Sequence, residues 1–453
     1  MSGCFGKPAS TGRGTVLIIT LWVIVVLAAL VVVFARSMRV EGSCSANAAS
    51  SAQASAIEQG AVAYVLAHVD GLEGAVPAPA DTPAEGVEVG TGAFWLLGPS
   101  SDGTTRYFGI VDEASKLNLN TADAAALEKL PGMTVELAAC IVDWRDPDGE
   151  MTTGGSESEY YLLLDDPYEC KNAPFETVEE LLLVKGMTRD ILFGEDTNRN
   201  GVLDTNENDG ALTEPPDDAD GQLDGGLYGL VTVCSEEPAA SASGEARINV
   251  NEPRGSELAD LLSPVVAAER LPVVLDRARR ERPFASILDF YMRTTLTAKE
   301  FGQIAARITT GTAPARGLVN VNTAPAAVLA CLPGLTESDA STLLSWRSDT
   351  NHDISSVAWL AEALPPEKAG PLGALVTTRS YQFSADVVSL AGDGRAFRRC
   401  GVAVDASASP PKVVYRQDLT PLGWPLEAEI LKGLRSGTEL AKVIEQTQQQ
   451  GVR

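Results

Sequence analysis

TVLIITLWVIVVLAALVVVFA, residues Thr15 to Ala35, carries Thr20 as the only polar residue inside an otherwise apolar run. A hydrocarbon core about 30 Å thick is crossed by a helix of about 20 such residues. The run is long enough to span, and longer than the apolar segment of a secretory signal. Ordinary signal peptides are cut after that segment, at small residues. Here the small-residue site, Gly14, comes before it, behind a short leader containing Lys7 and Arg13. A cut after Gly14 keeps the helix and makes Thr15 the first mature residue. An uncleaved signal anchor is the alternative reading. Lys7 and Arg13 on one side and Arg36 and Arg39 on the other leave the positive-inside signal weak.

Outward from the run, Met38 to His68 is rich in Ala and Ser and free of Pro, with Ile57, Val62, Tyr64, Val65 and Leu66 near its end. It predicts the same helix continuing out of the membrane and packing on a sheet. Gly42 marks a candidate bend at the membrane surface. Gly71 to Pro83 is a linker. Ala93–Leu97 and Arg106–Asp112 predict strands across a Ser-Asp-Gly turn. Alternation in Tyr381–Asp405 and Lys412–Asp418 predicts the strands of a closing antiparallel sheet. Glu427 to Gln449 predicts a polar amphipathic tail helix with a frayed, Gln-rich end. Helix, strands, a long helical stretch and strands again make an α+β chain.

The 453 residues suffice for two or three domains. A net charge of −26 repels nucleic acid and anionic membrane surfaces, and suits divalent cations. The two histidines, His68 and His352, leave little room for a His-based dyad or a zinc enzyme. A cut after Gly14 would remove Cys4 and leave six cysteines, Cys44, Cys140, Cys170, Cys234, Cys331 and Cys400. These could pair in an exported body, or be buried as small apolar residues.

An internal repeat fills the middle. Lys116–Arg145, KLNLNTADAAALEKLPGMTVELAACIVDWR, matches Leu318–Arg347, LVNVNTAPAAVLACLPGLTESDASTLLSWR, and a degenerate copy starts at Arg247 as RINVNEPRGSELADLL. Each is followed by a second element, from Pro174, Pro283 and Ile354. N-x-N is short and extended, and Thr121 and Thr323 stand where helix N-caps belong. Leu-Pro-Gly then breaks the first helix, and a second runs to Trp-Arg. This resembles a helix-hairpin-helix unit. DNA-binding hairpins present a G-h-G turn to a phosphate. Here the turns are Pro131-Gly132 and Pro333-Gly334, each without the second glycine. Glu128, Glu136, Asp143, Glu337 and Asp339 replace a basic stripe, so a structural role is expected.

Between the first two units lies EDTNRNGVLDTNENDG. Asp196, Asn198, Asn200, Val202, Asp204 and Glu207 fall at the ligand positions of an EF-hand-type loop, with Gly201 at the sharp turn. Calcium takes six to eight oxygens, and a tight loop offers them from alternate residues. Asp218, Asp220 and Asp224 match part of the same pattern and form a possible second metal site. Asp143, Asp146 and Asp148 are a weaker third. With little helix after Glu207, the loop reads as a clip that stabilises an insertion, not as a sensor that opens.

Taken in order along the chain, the pieces resemble the general secretion pathway protein K family, the large minor pseudopilin of type II secretion systems. The resemblance runs from Gly14 to about Asp418. It is carried by the leader and apolar run, KLNLNTADAAALEKLPG, Tyr160-Tyr161, Asp166-Pro167-Tyr168, PFETVEELLLVKGMT, RINVNE and LVNVNTAPAAVL. It implies a type IV prepilin-like leader cut between Gly14 and Thr15 by prepilin peptidase, with methylation of the new N-terminus. It implies a pilin-like fold, a long N-terminal transmembrane helix on an antiparallel sheet, with a large inserted helical domain of helix-hairpin-helix-like repeats. It further implies an inner-membrane protein with a periplasmic body, no enzymatic activity, and a place at the pseudopilus tip, starting assembly with minor pseudopilins of the I and J types. Most pseudopilins carry Glu at the fifth mature position, where this chain has Ile19. An unpaired ammonium in hydrocarbon costs several kcal/mol, which suits the end of a filament better than its shaft.

The divisions expected are 1–14 leader, 15–70 transmembrane and N-terminal helix, 84–115 first part of the sheet, 116–226 first unit with the acidic loop, 227–380 second and third units, 381–418 closing strands and 419–453 tail. Two other functions stand beside this one. A membrane-anchored DNA receptor built on the hairpins requires a basic face. Another calcium-stabilised exported protein, if an enzyme, requires a catalytic constellation, and no nucleophile elbow, zinc motif or phosphate loop occurs.

Overall fold

The computed structural model describes residues 12–99, 105–213, 216–240, 244 and 246–451. Most of the leader, residues 1–11, and the Ser-Asp-Gly turn lie outside them. Helix α1 runs from Gly12 to Val69 without interruption, so Gly42 introduces no break. Among the described residues it is the one helix long and apolar enough to cross a membrane, and its apolar part is wholly exposed. Farther on the same helix turns a stripe inward. Ala54, Ile57, Ala61, Val65 and Val69 recur at helical spacing and are buried.

That stripe lies on a sheet. Among the described residues its strands are β1 (Val87–Val89), β2 (Gly92–Gly98), β3 (Tyr107–Phe108), β4 (Val111–Asp112), β5 (Gln382–Leu390), β6 (Phe397–Asp405) and β7 (Lys412–Asp418). The order is β1-β2-β5-β6-β7, with β3 on β2 and β4 on β5, and every pairing is antiparallel. Side chains alternate across the sheet. Phe94, Leu96, Phe383, Val387, Cys400 and Val402 meet α1. Ala93, Trp95, Leu97, Val388 and Leu390 face the other way.

What covers that second face differs from expectation. The tail is two helices, Ala428–Arg435 and Leu440–Gly451, separated by Gly437 at φ +86°. Leu426, Ile430, Leu434, Leu440 and Val443 are buried on Trp95 and its neighbours. The tail therefore closes a third layer. Its apolar positions are widely spaced among polar ones, which hid a packed face behind a polar composition.

Residues 113–380 are inserted between β4 and β5 and hold the largest core. Three short parallel ladders organise them: Leu117–Asn118 with Val231–Thr232, Ile248–Asn249 with Ile308–Thr309, and Val319–Asn320 with Val376–Thr377. The first ladder closes at Thr232, which carries the first unit past residue 226. In each N-x-N the first Asn accepts the backbone N–H of the second through its side-chain oxygen, at 2.8, 3.0 and 3.0 Å. The second Asn donates its amide to the incoming element, Asn120 to the Phe175 carbonyl, Asn251 to Phe284 and Asn322 to Ile354. One side chain turns the chain and the next clasps the returning segment, which is why the pair recurs.

The expected caps need correction. Asp123 caps the helix Ala124–Leu127, and Ala326–Cys331 starts after Pro325 with no side-chain cap. Thr323 instead donates to Asp112 of the sheet at 2.5 Å. In these two repeats the capping threonines come one helix later, Thr134 before Val135–Arg145 and Thr336 before Glu337–Ser348. Arg145 donates to the Leu119 and Ala122 carbonyls, and Arg347 to those of Val321 and Ala324. The terminal arginines thus satisfy carbonyls that the N-x-N turn frees. All the described cysteines are free, and Cys140, Cys170, Cys331 and Cys400 are buried, as small apolar residues would be.

Candidate metal centre

The helix Arg189–Phe193 starts at Thr188, whose hydroxyl accepts the Ile191 N–H, and stops at Gly194, φ +63°. A Cβ at Gly194 would lie 1.9 Å from the Asp224 carbonyl oxygen, so only glycine admits the close crossing of the two acidic segments. Glu195 N donates to that carbonyl at 2.8 Å.

The loop then curls on itself. Asp196 accepts the Asn200 N–H at 2.9 Å and the Gly201 N–H at 2.8 Å through separate oxygens. Gly201 at φ +72° makes the bend. Glu207 closes the ring, accepting Thr197 N at 2.9 Å with one oxygen and Asp204 N at 3.0 Å with the other. Asp204 Oδ2 receives the side-chain amides of Asn198 and Asn200 at 2.7 and 2.9 Å. Asp196, Asn200 and Glu207 are buried. Asn198 Oδ1 is buried without a partner. Burial, with Glu207 close by, pushes the Asp196 carboxyl up to about 6.

Five of the six expected ligands are thus tied into one hydrogen-bonded loop through their side chains, and Val202, whose N–H donates to Asn200 Oδ1 at 2.8 Å, sits on the same turn. No three His, Cys, Asp or Glu side chains among the described residues stand together in metal-holding geometry. What the loop offers is a donor set of mixed oxygens, carboxylate and asparagine side chains with main-chain carbonyls, the chemistry a hard cation takes. Each carboxylate offers about four lone-pair directions; Asp204 Oδ2 and Glu207 Oε1 each accept two donors, while Asp196 Oδ1 and Oδ2 and Glu207 Oε2 accept one apiece, which leaves lone pairs for a hard cation.

Asp218, Asp220 and Asp224 lie beside this loop but do not converge. Each closes a local turn, accepting the N–H of Asp220, Gln222 and Gly226 respectively. Glu195 ties them in, accepting the N–H of Asp218 at 3.2 Å and of Asp224 at 3.5 Å.

The third acidic place is more enclosed than its sequence suggests. Asp143 is 0% exposed, and both its oxygens accept the Thr152 N–H at 3.2 Å. A Cβ on Gly155 would come 1.9 Å from Asp143 Oδ2. Glu157 is 7% exposed with both carboxylate oxygens buried and unpartnered, as is Asp146 Oδ1. Burial raises both carboxyls, and Asp143 raises each further. Sequence reading missed Glu157. The signal was the Gly154-Gly155 pair, which returns the chain to Asp143. The Asp148 carboxylate accepts the Glu150 N–H at 2.9 Å, and its carbonyl accepts the Asn172 side-chain amide at 2.6 Å.

The hairpin turns face each other. Gly132 and Gly334 take φ +68° and +75° after Pro131 and Pro333. Lys129 of the first unit donates to the carbonyls of Ala330, Leu332 and Leu335 around the other turn, at 2.9, 3.1 and 3.4 Å. A turn held through its carbonyls by a neighbouring lysine serves packing between units.

Residues 115–193 match one family model and residues 319–377 a second, both described as type II secretion system (T2SS), protein K. No curated protein matches. Among solved structures the chain is similar to one in the crystal structure of the GspK-GspI-GspJ complex from the enterotoxigenic Escherichia coli type 2 secretion system. The two share 11% identity over 80% of this chain and 93% of that one, with a TM-score of 0.40.

Proposed function

Proceeding from a chain that carries two segments of type II secretion system protein K, we propose that it is a minor pseudopilin at the tip of a periplasmic pseudopilus. It starts assembly with the I- and J-type minor pseudopilins and supports protein export without catalysing a reaction. The observation that carries this reading is α1, one uninterrupted helix whose first part is exposed and apolar and whose last part is the spine of an antiparallel sheet. Such a helix suits a subunit held in the inner membrane through residues 15–35, after prepilin peptidase acts between Gly14 and Thr15, with its body in the periplasm. The inserted units, helix-hairpin-helix-like in their Pro-Gly turns, serve as packing modules and not as nucleic-acid readers.

The acidic loop is a structural calcium site in this reading. Asp196, Asn198, Asn200, Asp204 and Glu207 supply side-chain oxygens and Val202 its carbonyl. Asp218, Asp220 and Asp224 brace it through Glu195. The buried, unpartnered oxygens of Glu157 and Asp146 beside Asp143 suit a second hard cation. Bound there, the ion would supply positive charge to carboxylates that burial has stripped of water.

The test is co-expression of the full chain with its I- and J-type partners, followed by detergent extraction. Recovery of a three-component complex is expected. Failure to recover either partner, with a shift of DNA at moderate salt, would favour the receptor alternative.

A further inference from the structure

The guanidinium of Arg399, on β6 of the sheet, reaches into the acidic loop of the inserted domain. Nη1 donates to the Asn198 carbonyl at 2.6 Å and Nη2 to the Arg199 carbonyl at 2.8 Å. Nε and Nη2 also donate to Asp386 Oδ2 on β5, at 2.8 and 2.5 Å. Arg399 is 0% exposed. From the other side Arg199 is pinned too. Its backbone sits at φ +55°, and its guanidinium lies 3.9 Å from the Phe193 ring and 4.8 Å from that of Tyr228.

We propose that Arg399 is a positioning residue for the cation site of the 196–207 loop, fixing its shape by holding two successive carbonyls outward. This rests on the cation reading above and adds to it a residue from another part of the chain. An oxygen-rich loop binds a cation well only if its backbone is curled beforehand. The carbonyls at 198 and 199 must turn away for the side chains at 198 and 200 to turn in. One planar guanidinium meeting two adjacent carbonyls enforces that turn, which a lysine cannot do. Asn198 is where the two halves meet. Its carbonyl is taken by Arg399, its amide reaches Asp204, and its Oδ1 is buried without a partner.

Charge argues the opposite sign, which makes the idea decidable. A cation near an ion site repels the ion, and Asp386 offsets that charge. If Arg399 acted by charge alone, Arg399→Gln would tighten calcium binding and Arg399→Lys would leave it unchanged. As a clamp, both variants loosen it.

The experiment is a calcium chloride titration of the full chain in detergent, read by calorimetry. Glu207→Gln defines the share of binding that belongs to this loop. Amide exchange over residues 196–207 and 397–401 is followed in parallel. The expected result is at least a tenfold rise in the loop's Kd for both Arg399 variants, with faster exchange at Asn200 and Gly201. Unchanged or tighter binding in Arg399→Gln overturns the clamp alone. No uptake by the wild-type chain overturns the cation reading and the clamp with it. If the variants fail to fold, the wild type still decides. Calcium that slows exchange in the loop and also at 397–401 supports the clamp, and slowing confined to the loop overturns it.

Discussion

Asp112 and Asn320 meet at 2.9 Å, where the carboxylate of a sheet strand accepts the side-chain amide of an inserted N-x-N turn. Thr323 and the Ala114 N–H add donors at 2.5 and 2.8 Å. This buried carboxylate joins the sheet to the domain it carries.

Replacing Asn320 with Ala leaves Asp112 short of a donor, and a loss of about 1–3 kcal/mol is expected in urea unfolding. Burial raises the Asp112 carboxyl above its usual range, against the pull of those donors. The native state then holds the proton more tightly than the unfolded chain does. Between the unfolded value, about 3.9, and the raised native one, this group's contribution to stability falls as pH rises. The stability of Asp112→Asn relative to wild type should therefore climb across that window. A flat difference would mean that the carboxylate is equally stable in both states.

Chelation of calcium should lower the melting temperature of the full chain. At a free concentration of 100 times Kd the ion contributes about 2.7 kcal/mol. Asp196→Ala and Glu207→Ala should each abolish most of the dependence, measured by scanning calorimetry with and without chelator. A melt indifferent to chelator would sink the cation reading.

Mass spectrometry of the protein made with and without prepilin peptidase should place the N-terminus at Thr15, methylated, only when the peptidase is present. A start at Met1 or Ser2 would identify an uncleaved anchor. A start beyond residue 35 would identify an ordinary signal peptide.

Deleting residues 424–453 uncovers Trp95. The tail buries Leu426, Ile430, Leu434, Leu440 and Val443, at about 1.5–3 kcal/mol for each large side chain. A fall in melting temperature and a red shift of tryptophan emission are expected. An unchanged melt would show that the two tail helices are undocked in solution.

Native alkylation at pH 8 should modify Cys44, which is exposed on α1, and spare Cys140, Cys170, Cys331 and Cys400 until the chain unfolds. Burial pushes the Cys170 and Cys331 thiols up to about 11, so little nucleophilic thiolate forms. Rapid labelling of the buried set would contradict their packing.

How much of this was legible depended on whether the cause was local. The apolar run is long and unbroken and YQFSADVVSL alternates, so length placed the start of α1 and alternation placed β5. The loop at Asp196 could be singled out as a candidate because its oxygens come from one short segment. Thr121 and Thr323 misled, because a hydroxyl before an Ala-rich stretch reads as a cap while the true partner of Thr323, Asp112, lies far away in sequence. Arg399 carried no signal at all. In RRCGVAVD it is one of two adjacent arginines, and only the fold brings it to Asn198. Glu157 had one signal beside it, the Gly154-Gly155 pair that lets the chain pass close to Asp143.

The insertion between β4 and β5 has a kinetic consequence. β2 lies against β5, Phe94 opposite Ser389 and Leu96 opposite Val387, and the whole inserted domain separates them along the chain. A polypeptide delivered N-terminus first offers GAFWLLG no central strand to pair with until Gln382–Leu390 follows. Closing so long a loop is slow, and an apolar strand waiting for its partner invites self-association. The three inserted units close their ladders internally and are free to fold in the interval. The expected order is units first and sheet last, so the surface formed by the sheet becomes available only once the closing strands through Asp418 have been delivered.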